Sequence, residues 1–265
     1  MPKRRTRSPY EFNADRLENV FHFLKENSKY NRSIQNKTYR DWLSPYRGTA
    51  DRLKSLMFNV VNTQSRAKLD LLSKCWKGLH AGRAGANALE SVGQLADYLA
   101  NVLLETRCRR EPEHFEDLWT VLKSVPGWGQ KTSALFVKSV VRIHMDRNNE
   151  DLRFLSNFQM KASVRPYVPV DNVIIHIFNK HLRTGGQELG FGGINALLRK
   201  QHTSAKDLLL WDDLWFWGFI TQESRNEIRR TALNMAKFWS IHHAPGDLER
   251  EVTRHAKQFI KILRS

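Results

Sequence analysis

The sequence predicts an all-α protein. Apolar residues recur three or four positions apart through most of its 265 residues, and the strict alternation that marks half-buried strands is rare. No internal repeat or low-complexity tract interrupts that pattern. At this length, with 41% hydrophobic and 11% aromatic residues, the chain can bury a substantial core in one or two domains.

The elements follow in order. Pro2-Lys3-Arg4-Arg5-Thr6-Arg7 is basic with no apolar stretch behind it, so it does not read as a secretory signal. It is either an arm that touches phosphates or a solubilising tail. Residues 10–47 read as helical and polar. Phe12, Leu17, Val20, Phe21 and Leu24 share one face, and residues 13–15 are positioned to cap it. A looser segment is expected through Asn27, Ser28, Asn31 and Ser33. Residues 49–79 read as two helices, one with Leu53, Leu56, Met57, Val60 and Val61, the other with Ala67, Leu69, Leu71, Leu72 and Trp76. Between them lies the polar corner Asn62-Thr63-Gln64-Ser65. Residues 78–85 read as a Gly/Ala loop, and 95–104 as a helix ending in the basic run Arg107, Arg109 and Arg110.

Phe115, Leu118, Trp119 and Leu122 then mark a helix that is broken at Val125-Pro126-Gly127-Trp128-Gly129. A new helix starts at Gln130-Lys131-Thr132-Ser133-Ala134. Its first N–H groups have no intrahelical partner, which suits them to an anion such as a phosphate. Glycine lets another backbone approach closely. Residues 142–167 break the helical pattern and read as an insertion or long loop, with a short helix expected at 152–160. Val168-Pro169-Val170-Asp171 follows, then a stripe of Ile174, Ile177, Phe178 and Leu182. Asp171 stands at the start of that helix, where a carboxylate accepts backbone N–H bonds. His176 and His181 are five apart, off one helix face, and read as structural or DNA-facing rather than metal-ligating. Trp211, Trp215, Phe216, Trp217 and Phe219 form an aromatic cluster, followed by helices expected at 225–241 and 248–263.

Charge points to the partner. Lys plus Arg number 43 against 27 Asp plus Glu, a net charge of +16, with a pI near 10.1. That imbalance argues for a polyanion, nucleic acid first. Cys75 and Cys108 form no CxxC pair, which speaks against a zinc ribbon or an iron–sulfur cluster and for two reduced thiols in a cytosolic protein. No apolar run is long enough to span a membrane.

Residues 125–134, followed by Val168-Pro169-Val170-Asp171, resemble the helix-hairpin-helix and aspartate signature of the endonuclease III / 8-oxoguanine DNA glycosylase superfamily. The polar corner at 61–65 and Leu214-Trp215-Phe216-Trp217-Gly218 match weaker family segments in the same order. Members with an iron–sulfur cluster carry four cysteines after the Trp-Gly segment; residues 222–229 hold none, so the resemblance is to a cluster-free member.

It implies two helical domains flanking a DNA-binding cleft: residues 49–141, with the helix-hairpin-helix at 115–141, and residues 1–48 with 168–265, joined by the 142–167 insertion. It also implies a base-excision glycosylase with abasic-site lyase activity, acting on double-stranded DNA that carries a damaged or modified base. Lys131 would be the Schiff-base nucleophile and Asp171 the carboxylate that stabilises positive charge on the sugar. Gln64 would fill the space left by the flipped base. Pro126, Gly127, Trp128, Gly129, Gln130 and Thr132 would meet the DNA backbone, and Trp128, Phe178, Trp215 and Trp217 would wall the base pocket. No metal or iron–sulfur cofactor is implied beyond a monovalent cation on the hairpin carbonyls. A monomeric, intracellular, DNA-associated protein is expected. Two other readings stay open: a monofunctional glycosylase in which Asp171 activates water, and a non-catalytic hairpin protein that only binds DNA.

Overall fold

The structure is a computed structural model and describes residues 10–64, 68–106, 115–161, 163–225, 228–241 and 246–265. The basic run 2–7, Ser65 and Ala67, and the basic run of Arg107, Arg109 and Arg110 with Cys108 lie outside the described residues. In chain order come β1 (Tyr10–Phe12), α1 (Ala14–Glu26), α2 (Ser28–Leu43), α3 (Thr49–Asn62), α4 (Leu69–Ala81), α5 (Arg83–Ala86), α6 (Val92–Leu104), α7 (Phe115–Ser124) and α8 (Gln130–Met145). A 3-10 turn (Arg147–Leu152) leads towards α9 (Asn172–Ile177), which runs into a π turn (Phe178–Leu182). The rest is β2 (Arg183–Gly186), α10 (Phe191–Gln201), α11 (Ala205–Leu210), α12 (Asp213–Ile220), β3 (Gln222–Arg225), β4 (Ile228–Thr231), α13 (Met235–Ile241) and α14 (Asp247–Arg264). The protein is thus mostly helical, with two small antiparallel ladders, β1–β2 and β3–β4.

The chain divides into two compact units, named here by their place in the sequence. The terminal unit takes the chain up to Arg32, residues 170–198 and residues 210–265; the middle unit takes residues 33–169 and 199–209.

In the terminal unit, Asn13 caps α1 by accepting from the Arg16 N–H at 2.9 Å. The buried face of α1 meets α12 and α14 through Phe23, whose ring lies 5.0 Å from Trp217 and 5.2 Å from Phe259. The looser segment expected at 27–33 is only the Asn27 C-cap of α1, and α2 begins at Ser28. The buried amides here are satisfied: Asn27 Nδ2 donates to Phe23 O at 2.9 Å and Asn31 Nδ2 to Asp213 Oδ1 at 2.7 Å. Polar residues with partners need not break a helix. The helix expected at 225–241 is also revised. It is the β3–β4 hairpin followed by the short α13, and Gln222, at the start of β3, is buried and donates to Val173 O at 3.1 Å.

In the middle unit, the expected loop at 78–85 is the end of α4 and the short α5. A Cβ on Gly78 would lie 2.9 Å from Val102 O, and one on Gly82 would lie 2.7 Å from Val102 Cγ2. Both glycines therefore let α4 approach α6, and Gly82 is also the C-cap at which α4 ends. Ser91 and Gln94 form a capping box that starts α6 three residues earlier than its apolar stripe suggests.

Residues 146–167 are a packed strap, and no helix forms at 152–160. Leu152, Phe154 and Leu155 are buried. His144, itself buried, accepts the Leu155 N–H at 3.0 Å through Nε2 and uses Nδ1 on Val140 O at 2.8 Å. Phe158 stacks on the same imidazole at 4.7 Å. Arg52 Nη1 donates to Arg153 O at 2.8 Å, and Asn157 N–H donates to Glu90 O at 2.8 Å. Burial pushes the His144 imidazole down to about 4, so it packs as the neutral ring.

Candidate functional site

The turn between α7 and α8 is built by local bonds. Val125 N–H donates to Leu122 O and Trp128 N–H to Val125 O, each at 3.0 Å. Gly127 sits at φ +90°, and a Cβ there would also lie 3.1 Å from Leu72 Cδ2, so α4 and the backbone both require glycine. Gly129 is the N-cap of α8 and provides no capping side chain. A Cβ on Gly129 would meet nothing within 4 Å. Pro126, Gly129 and Gln130 are exposed and Lys131 is half-buried on the first turn of α8. Thr132 is turned into the core. Trp128 is also a core residue, edge-on to Phe136 at 5.9 Å.

Gln64 lies at the end of α3, where its own N–H donates to Val61 O at 3.0 Å. It is half-buried, and its side-chain Nε2 is covered without an acceptor among the described residues. Cys75 is a buried free thiol on α4, and burial raises it to about 11. A thiol held protonated in this way is a packing group, not a nucleophile.

Asp171, in the terminal unit, is the N-cap of α9. One oxygen, Oδ1, accepts from the Val173 N–H at 2.9 Å and the Ile174 N–H at 3.1 Å. No hydrogen bond from the described residues reaches Oδ2. α9 is seated on α12 at Gly218, where a Cβ would lie 2.6 Å from Val173 Cγ1. Phe178 and Trp217 are fully buried in this unit, where Phe178 packs 5.8 Å from Trp211 and Trp217 packs 4.9 Å from Phe216. Trp215 is only half-buried and stacks on Phe219 at 5.1 Å with 16° between the rings.

The helical wheel separates His176 from His181, but the π turn brings their rings to 5.8 Å. Wider winding aligns residues five apart. His181 Nε2 meets Thr231 Oγ1 at 2.6 Å and Nδ1 meets Leu263 O at 3.1 Å. Burial, then the neighbouring His176, pushes His181 down to about 4. His181 is tied into structure, whereas His176 Nε2 is buried without a hydrogen-bond partner among the described residues, and among those residues no group of three or more His, Cys, Asp or Glu could hold a metal ion.

Two groupings have no signal in apolar periodicity. In the terminal unit, Lys237 Nζ lies 4.9 Å from the Phe219 ring and donates to Gln222 O at 2.5 Å. Burial, then the Arg229 guanidinium, lowers its pKa. In the middle unit, Trp119, Tyr167 and Arg199 form a stack from three distant stretches. Only the i, i+4 pair of Trp119 and Lys123 was visible as a neighbour in sequence, and Lys123 Nζ lies 4.5 Å from the Trp119 ring.

No helix among the described residues is long and apolar enough to cross a membrane. No family model matches the chain, and no curated protein or solved structure matches it.

Proposed function

We propose that the protein is a DNA base-excision glycosylase with abasic-site lyase activity, with Lys131 as nucleophile and Asp171 as the supporting carboxylate. The observation that carries this reading is the placement of Lys131 on the first turn of α8, directly behind an uncapped, exposed Gly129. Free helix N-terminal N–H groups take a phosphate, and an amine one residue into the same helix would stand beside the sugar attached to it. The net charge of +16 supplies the general attraction for DNA. In this reading the helix-hairpin-helix is α7, the Val125–Gly129 turn and α8, and DNA lies in a cleft that it lines. The carbonyls of Leu122 and Val125 each accept one N–H and keep a second lone pair, which would suit a monovalent cation near that phosphate.

In the proposed chemistry the Lys131 ammonium first gives a proton to solvent. The N–C1′ bond then forms as the glycosidic bond breaks, and the base leaves with the bonding pair and takes up a proton from the nitrogen that has attacked. Positive charge grows on the sugar as that bond lengthens, and the Asp171 carboxylate would oppose it; its capping role uses Oδ1 and leaves Oδ2 for this. Ring opening gives a Schiff base. Loss of a C2′ proton then expels the 3′ phosphate, and water releases the lysine. Gln64, whose amide nitrogen lacks an acceptor among the described residues, would meet the base left unpaired. Trp215 is the member of the expected pocket set that is not fully buried.

The test is borohydride trapping on a duplex with an abasic site, alongside base release from a panel of oxidised, mismatched and alkylated duplexes. A trapped adduct that Lys131→Gln abolishes supports the reading. Base release that survives Lys131→Gln and is lost in Asp171→Asn would replace it with a monofunctional glycosylase. DNA binding without adduct or base release would leave a DNA-binding protein alone.

A further inference from the structure

Trp119 of α7 donates from Nε1 to Gln130 O at 3.1 Å, the carbonyl of the peptide bond that leads into Lys131. Tyr167, near the end of the strap, lies on Trp119 with ring centroids 4.3 Å apart and 35° between planes. The Arg199 guanidinium of α10 sits 4.6 Å from the Tyr167 ring. One carboxylate oxygen, Glu116 Oε1 on α7, accepts from both Tyr167 Oη at 3.2 Å and Arg199 Nη2 at 2.9 Å. Residues from α7, α10 and the strap therefore converge, and through Trp119 they reach the first residue of α8.

We infer that the Trp119–Tyr167 stack is a positioning element for the Lys131 chemistry, fixing the first turn of α8 from which Lys131 projects. The inference rests on the glycosylase/lyase reading. The Tyr167 ring covers the Trp119 ring, and Glu116 and Arg199 hold Tyr167 in turn, so the bond from Trp119 to Gln130 O is braced by the strap and by α10. Trp119 and Tyr167 touch no reacting atom in this scheme; they act through Gln130. The 146–167 strap acquires a role from the same contacts, because it is what carries Tyr167 back to α7.

The test compares wild type, Tyr167→Ala, Tyr167→Phe and Trp119→Phe in the full chain. The probe is a duplex with one abasic site, read by single-turnover borohydride trapping, with DNA affinity and amide hydrogen exchange measured beside it. Tyr167→Ala should slow trapping by about tenfold to a hundredfold, the usual consequence of a misplaced reacting group, with little change in DNA affinity. Tyr167→Phe keeps the ring and should restore most of the rate. Trp119→Phe keeps a ring but loses the bond to Gln130 O; it should slow trapping and speed exchange of the amides at 130–133 while the rest of the protein stays protected. Wild-type rates and exchange in both Tyr167→Ala and Trp119→Phe would overturn the inference. If the wild type forms no adduct, the lyase reading fails and this role fails with it; faster exchange at 130–133 in Trp119→Phe would then show only that the stack braces the turn.

Discussion

The imidazole of His144 accepts the backbone N–H of Leu155 at 3.0 Å, so a buried neutral histidine at the end of α8 anchors the strap that follows it. This contact sets a pH dependence. The folded-state pKa is pushed down to about 4, mainly by burial, against an ordinary value of 6.5. Between those values the unfolded chain binds the proton and the folded chain does not. The contribution is complete above pH 6.5 and is lost as pH falls towards 4. For a shift of this size it is roughly 3 kcal/mol. His181, lowered in the same direction, adds to the slope. Urea unfolding at pH 7, 5.5 and 4.5 should show falling stability, and His144→Gln should flatten the profile. A flat wild-type profile would contradict the buried neutral ring.

The proposed role of Asp171 in base release is separable from its capping role. Asn is as good an N-cap as Asp, so Asp171→Asn should keep the bonds to Val173 and Ile174 and leave thermal stability near wild type. Asp171→Ala should cost about 1 kcal/mol. Both should lose base release if the charge is what matters. An active Asp171→Asn protein would confine the residue to capping.

The two turn glycines should behave oppositely. Gly127→Ala meets both a positive φ and Leu72, and about 1–3 kcal/mol of destabilisation is expected. Gly129→Ala has ordinary extended geometry and open space, so unfolding should be unchanged. DNA affinity should nonetheless fall, because the new methyl projects where a phosphate backbone would approach. Thermal melts paired with DNA titrations separate the two effects.

DNA binding should weaken steeply with salt. Neutralising about six phosphates gives a log–log slope near −5, and Lys131→Gln should reduce it by about one if that lysine meets a phosphate. An affinity insensitive to salt would remove nucleic acid as the partner.

The helical class was legible because burial follows three-to-four spacing in α1, α3, α7 and α8, where stripes such as Leu53, Leu56, Met57 and Val60 are fully covered. The α7–α8 turn was legible for a different reason: Pro126 and Gly127 are local conformational constraints that need no tertiary context. Asn27 and Asn31 misled because a buried amide is acceptable only when a partner exists, and the partner of Asn31 is 182 positions away. Gly78 misled because a glycine that opens a turn and one that admits a neighbouring helix look alike in sequence.

The 146–167 strap hid its order for the same reason. Its bonds run to Arg52, Glu90 and His144, so its regularity is tertiary rather than periodic. For the candidate site, Lys131 and Asp171 could be singled out because each sits beside a local structural signal, a turn and a cap. Trp119, Tyr167 and Arg199 could not, since their stack exists only after three distant stretches have packed.

The interleaving of the chain also bears on how the protein is made. α1 is synthesised long before α14, yet Phe23 packs on Phe259, and the carbonyl of Leu263 receives His181. The terminal unit cannot close until α14 has been synthesised. The middle unit needs nothing beyond residue 209. It can therefore fold during translation, with α1 waiting as an amphipathic helix whose apolar face is uncovered until α14 emerges. Stalling translation once residue 209 has cleared the ribosomal exit tunnel, but before α14 has, should give a protease-resistant middle unit with a cleavable segment at α1, and emergence of α14 should protect both.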